Sequence, residues 1–235
     1  MPALTTAPVV NRLIESLSPK ARQQILHSCE HVELSSGTVL CEPDQPFRYV
    51  YFPLTSFITL VTTLRDHQPL EMGLIGNEGM LGATVALGIN SAPMRAMVQG
   101  SGTALRMTAE QLQQDLQNNA ALTSTFNRYL YVLMAQLAQT AACAHFHAIE
   151  PRLARWLLMT HDRAHADYFH LTQEFLANML GVRRSGITVA AGALQERKLI
   201  QYARGKISIL DRVGLEAVAC ECYDAVTKDY ARLFE

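Results

Sequence analysis

Hydrophobic positions change their period along this chain. Between residues 30 and 108 they come in short, β-branched bursts: VELSSGTVL, FRYVYFPLTSFITLVTTL, PLEMGLIG and RAMVQGSGTALRM, cut by Gly, Pro, Asn and Asp. Alternation shows at Val50 and Phe52, then at Phe57, Thr59 and Val61. Strands interrupted this often predict an antiparallel barrel or a double-sheet jelly roll. A helical opening from Val10 to Leu26 is expected to cover one end through Leu13, Leu17, Ile25 and Leu26.

After residue 108 the spacing becomes helical. Thr108 is a plausible N-cap, with Gln111 three residues later at capping-box spacing. Leu122, Phe126, Tyr129, Leu133, Leu137 and Thr140 then follow at intervals of 4, 3, 4, 4 and 3, close to a coiled-coil seam. Leu130, Tyr131, Val132 and Met134 fall on neighbouring faces. A helix apolar on several sides needs several partners. We therefore expect it to pack on its own barrel and, along that seam, on the same helix of a second subunit. A central core helix in a monomer is the alternative.

The last third begins at EPRLARWLLM, where Pro151 suits a first helical turn and Leu153, Trp156 and Leu157 supply an apolar face. DRAHADYFH breaks that helix. Thr172 then caps a helix whose inward residues are Phe175, Leu176 and Met179, with Leu180 close behind. Gly181 supplies a tight turn of positive φ, and Val182 pins it. A second helix runs from about Arg183 or Arg184 to Arg197, burying Ile187, Ala190, Ala191 and Leu194. Ala177, Ala190 and Ala191 let the two helices cross closely. This is the pattern of a helix-turn-helix, whose second helix enters the DNA major groove by its N-terminal end. ERKLIQYARGKISILD reads as strand, Arg-Gly-Lys turn, strand: a wing.

The expected fold is therefore α+β. A β jelly-roll domain occupies residues 1–120, a dimerisation helix 121–147, and a winged helix-turn-helix 148–235. The terminal VGLEAVACECYDAVTKDYARLF is expected to cover the wing or the domain's underside through Leu215, Val218, Ala219, Tyr223 and Val226.

Composition narrows the class. With 235 residues, 49% hydrophobic and a net charge of -1, the chain reads as an ordinary globular protein. The N-terminus lacks the basic start and apolar run of a secretion signal, and no stretch suits a bilayer span, so a cytoplasmic location is expected. Five scattered cysteines point to reduced thiols instead of a disulfide framework. Charge is unevenly spread. Residues 1–120 carry seven Lys/Arg against ten Asp/Glu, whereas residues 171–210 carry six against two. A locally basic module fits a phosphate-binding face.

Arg184 is the best placed to bond a guanine edge, with Arg183, Ser185 and Thr188 reaching bases or phosphates. Gln173, Arg204 and Lys206 are assigned to the DNA backbone, where contacts position the protein without reading sequence. A hairpin made only for the core needs no arginines at its helix start or wing tip.

LTQEFLANMLGVRRSGITVAAGALQERKLI followed by the RGK turn resembles the bacterial Crp/Fnr (catabolite activator-like) transcription regulators. The resemblance covers nearly the whole chain. It implies a homodimer on an inverted repeat, contact with RNA polymerase, a backbone anchor at Thr172 and guanine reading by Arg184. Ser185 and Val189 replace the family's glutamate and second arginine, which implies a different operator.

The resemblance also bears on effector binding. Its cyclic-nucleotide members hold ribose with a glutamate, where this chain has Met80 in Gly79-Met80-Leu81-Gly82. Asn90-Ser91 stands at the phosphate-binding Arg-Ser pair, and Arg95 lies five positions further on. Cyclic AMP is therefore not the expected effector. Met80, Gly82 and Arg95 mark the candidate pocket for another small ligand.

Cys143, His145 and His147 are close in sequence, as are His161, His165 and His170, but zinc needs converging ligands and sequence shows no convergence. They are read as surface or hinge groups. Cys220 and Cys222 are read as structural or incidental, because residues i and i+2 of a helix do not face each other. No metal or cofactor is assigned. Residues 30–108 hold only His31 and His67, without a paired motif, so an enzyme is not expected. A non-catalytic helical interaction protein, binding protein through its helix-turn-helix, is the competing function.

Overall fold

The structure, a computed structural model, describes residues 9–164, 166 and 168–235. His165 lies outside them. The chain opens with two short helices, α1 (Arg12–Glu15) and α2 (Pro19–Ser28). Asn11 and Ser18 cap them by accepting bonds from Ile14 and Ala21. Leu13, Leu17 and Ile25 are buried as expected, but Leu26 is 43% exposed. Ile25 already fills the inward position of that turn, and its neighbour is rotated outward.

Seven strands follow: β1 (Glu30–Leu34), β2 (Val39–Cys41), β3 (Tyr49–Pro53), β4 (Phe57–Thr62), β5 (Leu70–Ile75), β6 (Arg95–Gly100) and β7 (Gly102–Thr108). They form two antiparallel sheets, ordered β1-β7-β3 and β2-β6-β4-β5. Val50, Phe52, Ile58, Leu74 and Val98 share one core. β4 is buried along nearly all its length rather than alternately. The reason is a second cover. Glu71 of β5 accepts bonds from Thr59 at 3.0 Å and from the indole of Trp156, in the C-terminal half, at 2.9 Å.

Thr108 caps α3 (Ala109–Gln117) through the amide of Gln111, whose own side chain bonds Asp115 instead of closing a capping box. The long helix α4 (Ala120–Phe146) follows, and it changes the reading of the seam. Leu122, Phe126 and Tyr129 are fully buried within the subunit. Phe126 packs on Phe52, and the Tyr129 hydroxyl donates to the Met80 carbonyl at 3.1 Å. Leu133 and Leu137 line a cavity that exposed Leu87 and Met134 also border, and Thr140 accepts from Arg155 at 2.9 Å. The first three seam residues are thus committed to the subunit's own interior, whereas Leu133, Leu137 and Thr140 stay half-buried. Periodicity identified an apolar face, and the β sheets claimed its first half because burying each large side chain there is worth about 1.5–3 kcal/mol. The large outward apolar residues of α4 are Tyr131, Met134 and Phe146, 71%, 66% and 77% exposed.

Helix α5 (Ile149–Ala164) starts after a break at His147. β8 (Tyr168–His170), α6 (Gln173–Leu180), α7 (Arg184–Glu196), β9 (Ile200–Ala203) and β10 (Lys206–Ile209) come next, and the three strands form one antiparallel sheet ordered β8-β10-β9. α8 (Arg212–Val218) packs on α5, while α9 (Cys222–Leu233) runs back along α4. Arg128 of α4 donates to the carbonyls of Arg232 and Leu233 at one end, and Gln139 reaches Cys222 at the other. The terminal segment was expected to cover the wing or the domain's underside. α8 and the start of α9 take the underside, with Leu215, Tyr223 and Val226 buried and the Tyr223 hydroxyl donating to Asp162 of α5 at 2.9 Å, while α9 is also a second partner for the long helix. A buried hydrogen bond, from Trp156 to Glu71, and a buried ion pair, Arg163 with Glu78 at 2.7 Å, join the halves. Among the described residues no helix is long and apolar enough to cross a membrane.

Candidate nucleic-acid interface

Thr172 has extended backbone and its hydroxyl accepts from the Phe175 amide at 3.0 Å, which starts α6. Gly181 ends it at φ 63°, in the left-handed region. The Gly181 amide donates to Asn178 at 3.1 Å and the Val182 amide to Ala177 at 2.9 Å. This pair of reversed bonds satisfies the last carbonyls of the helix and turns the chain sharply. A residue with a Cβ would be strained at this φ, and the added atom would lie 2.8 Å from Leu70.

Helix α7 starts immediately after. Ile187, Ala190, Ala191 and Leu194 are buried, as the stripe predicts. Arg183, Arg184, Ser185 and Thr188 are exposed. Thr188 donates to Gln173 at 2.8 Å, which fixes the crossing of α6 and α7 and commits both side chains to each other. Arg183 stands at the N-cap without a side-chain cap bond. The free amides of that first turn and the aligned peptide dipoles favour an anion there.

β9 and β10 form a hairpin in which Ala203 pairs with Lys206. Its two connecting residues, Arg204 and Gly205, have φ 52° and 77°. Both values are positive, as a tight two-residue hairpin requires. Thr172, Gln173, Arg184, Tyr202, Arg204 and Gly205 line one concave surface of about 430 Å³. The Tyr202 hydroxyl donates to Leu171 at 2.8 Å, anchoring the hairpin to the start of α6. Lys206 sits 4.0 Å over the Tyr168 ring instead of lining the concavity. Among the described residues Arg183, Arg184 and Arg204 have no carboxylate partner, whereas Arg197 is paired with Glu150 at 3.2 Å. Three unpaired cations therefore flank an uncapped helix start.

Residues 151–218 match the Crp-like helix-turn-helix domain. No curated protein matches the sequence. Solved structures extend the likeness in fold beyond this Crp-like domain. One is described as a transcriptional regulator of the Crp/Fnr family from Eubacterium rectale: 16% identity, 88% of this chain, 96% of that chain, TM-score 0.66. FixK2 from Bradyrhizobium japonicum gives 14% identity, coverage of 82% and 98%, and TM-score 0.67. The c-di-GMP-responsive regulator CLP of Xanthomonas campestris gives 16%, 82% and 99%, and 0.62. The chain thus has the Crp/Fnr fold from its β sheets to its Crp-like domain.

Tyr202 escaped the sequence reading, because no local motif marks it. Val189 is 73% exposed on α7, an apolar group presented to the outside.

The candidate effector residues separate. Met80 is fully buried and lies with Gly82 on a cavity of about 190 Å³. Its other walls include Phe47, Leu60, Leu130, Leu133 and Met134. Arg95 is not part of this wall, because its guanidinium is held 2.8 Å from Glu42. The cavity is therefore apolar, with no cation to hold a phosphate.

The cysteines also need correction. Cys220 and Cys222 do not share a helix: Cys220 lies in the connection after α8, and Cys222 opens α9. The helical-spacing argument fails there. Both thiols meet Cys143 and His147, with all four ligand atoms within 4.8 Å of one another.

Proposed function

We propose that this chain is a homodimeric, sequence-specific DNA-binding transcription regulator. The observation that carries the reading is the shared concavity of Thr172, Arg184 and Arg204 beside the exposed start of α7. Arg184 would bond the N7 and O6 edge of guanine, with Arg183 and Ser185 on neighbouring bases or phosphates. Thr188 and Gln173, bonded to each other, would hold the helices at the angle needed to enter the groove. Thr172, Arg204 and, more remotely, Lys206 would meet phosphates. The β9–β10 hairpin is the wing of a winged helix-turn-helix, and the two N-terminal sheets are a β-roll regulatory domain of the cyclic-nucleotide-binding type.

Tyr131 and Met134 on the outer face of α4 are our candidates for contact with a second subunit. Two recognition helices set about 34–36 Å apart would then read an inverted repeat. The β-roll cavity favours a small apolar effector over cyclic AMP, since Met80 fills the floor and Arg95 is paired elsewhere. An effector acts by binding one arrangement of the halves better than another. RNA polymerase is the expected protein partner, the cytoplasm the expected location, and catalysis is not part of the reading.

The test is selection of genomic fragments with purified protein, followed by titration of the enriched site and of random DNA. Specific binding should weaken steeply with salt as condensed counterions are released. Arg184→Ala should reduce affinity for the site by about 10–100-fold, a loss of about 1–3 kcal/mol, and affinity for random DNA far less. Equal losses on both would remove Arg184 from base reading. Salt-independent retention, or no enriched repeat, would favour a protein-binding role for the domain.

A further inference from the structure

We propose that Cys143, His147, Cys220 and Cys222 form a zinc site that clasps the end of the long helix to the C-terminal helices. The site is independent of DNA binding. Cys143 lies in the last turn of α4 and His147 four residues later at its C-cap, so both face the same side. Cys220 and Cys222 flank Glu221 at the corner between α8 and α9. The two pairs are brought together from 77 residues apart in sequence, with Cys143 Sγ 3.5 Å from Cys220 Sγ. His147 Nδ1 is 3.4 Å from Cys222 Sγ.

Those separations are the ones a single ion imposes. Zinc at about 2.3 Å from sulfur and about 2.0 Å from nitrogen holds tetrahedral ligands roughly 3.5–3.8 Å apart. Three sulfurs and one imidazole favour zinc over harder cations, which prefer oxygen. Four ligands without an open position describe a structural site. The three cysteines are buried, so the metal would be shielded from solvent thiols and water.

The surroundings match as well. The other imidazole nitrogen, Nε2, is 3.2 Å from Glu221 Oε1. A carboxylate on the far side of a ligating histidine fixes its ring and its tautomer. Gln139 Nε2 donates to Cys222 Sγ at 3.0 Å, which suits a thiolate. Binding would release the thiol protons to solvent, so affinity should rise with pH.

The experiment uses the reduced full-length protein, stripped of metal and titrated anaerobically with Co²⁺ alone, then with Zn²⁺. The expected result is saturation at about one Co²⁺ per chain, with thiolate-to-cobalt charge transfer and the visible bands of a tetrahedral ion. Zn²⁺ should abolish both. Cys29→Ser and Cys41→Ser should leave the spectrum unchanged. Glu221→Ala should keep the spectrum and weaken binding by about 10–100-fold. Reduced wild-type protein that gives no tetrahedral cobalt spectrum would overturn the proposal without recourse to any variant. So would a spectrum that survives Cys143→Ser and Cys220→Ser together. If purified protein instead carries a Cys143–Cys220 disulfide and, after reduction, takes up no cobalt, the cluster is a redox pair and not a metal site.

Discussion

Glu71→Gln should flatten the dependence of folding stability on pH. Burial pushes the Glu71 carboxyl up from 4.5 to about 7, only partly opposed by the bonds from Thr59 and Trp156 and by the charges of Arg155 and Arg163. In the unfolded chain this carboxyl loses its proton at its ordinary value. The folded protein holds the proton until about 7. Between the two values each pH unit therefore costs about 1.4 kcal/mol of folding stability. The penalty is small below the unfolded value, grows as pH rises, and is complete above the folded one. Integrated from about pH 5 to about pH 8 it comes to roughly 2.5 kcal/mol. A glutamine does not ionise. Its oxygen can still accept from Trp156, and its amide can donate to the Thr59 hydroxyl. Urea unfolding of both proteins across that range isolates the carboxyl, because every histidine contributes equally to each. The variant should gain on the wild type with rising pH by about that amount. Parallel profiles would refute the reasoning, and would mean that Glu71 is ionised and fully compensated in the fold.

Glu78→Ala should destabilise by about 3–5 kcal/mol, because it strands the buried Arg163 guanidinium. Glu78→Leu with Arg163→Met should cost clearly less in urea unfolding, and equal costs would refute a charge-based explanation. Gly181→Ala should lose about 1–2 kcal/mol from its left-handed backbone, whereas Gly192→Ala in α7, with open space around it, should gain about 0.5–1 kcal/mol. Melting temperatures that move the same way for both would sink that contrast. Met134→Glu with Tyr131→Glu should convert a dimer to monomers by light scattering, and an intact dimer would exclude the outer face of α4 as the interface.

What the sequence determined by itself was local. Caps at Thr108 and Thr172, the left-handed Gly181, the Arg204-Gly205 turn and the α7 stripe all depend on residues within one or two turns of each other. A Crp-like resemblance could therefore be read from the α6–α7 stretch and its hairpin. Tertiary structure decided what those elements meet. The period of α4 marks an apolar face but not its partner, and the first half of the seam went to the β sheets of its own subunit. α9, polar enough to pass for a surface helix, took another side of α4. Arg95 lay near the expected phosphate site in sequence, yet Glu42, just past the end of β2, captured it. The same limit hid the cluster of Cys143, His147, Cys220 and Cys222. Each pair looks incidental in its own segment, because spacing along a helix cannot report a corner made 77 residues later. Convergence of ligands is a property of long-range packing, and only the folded chain supplies it.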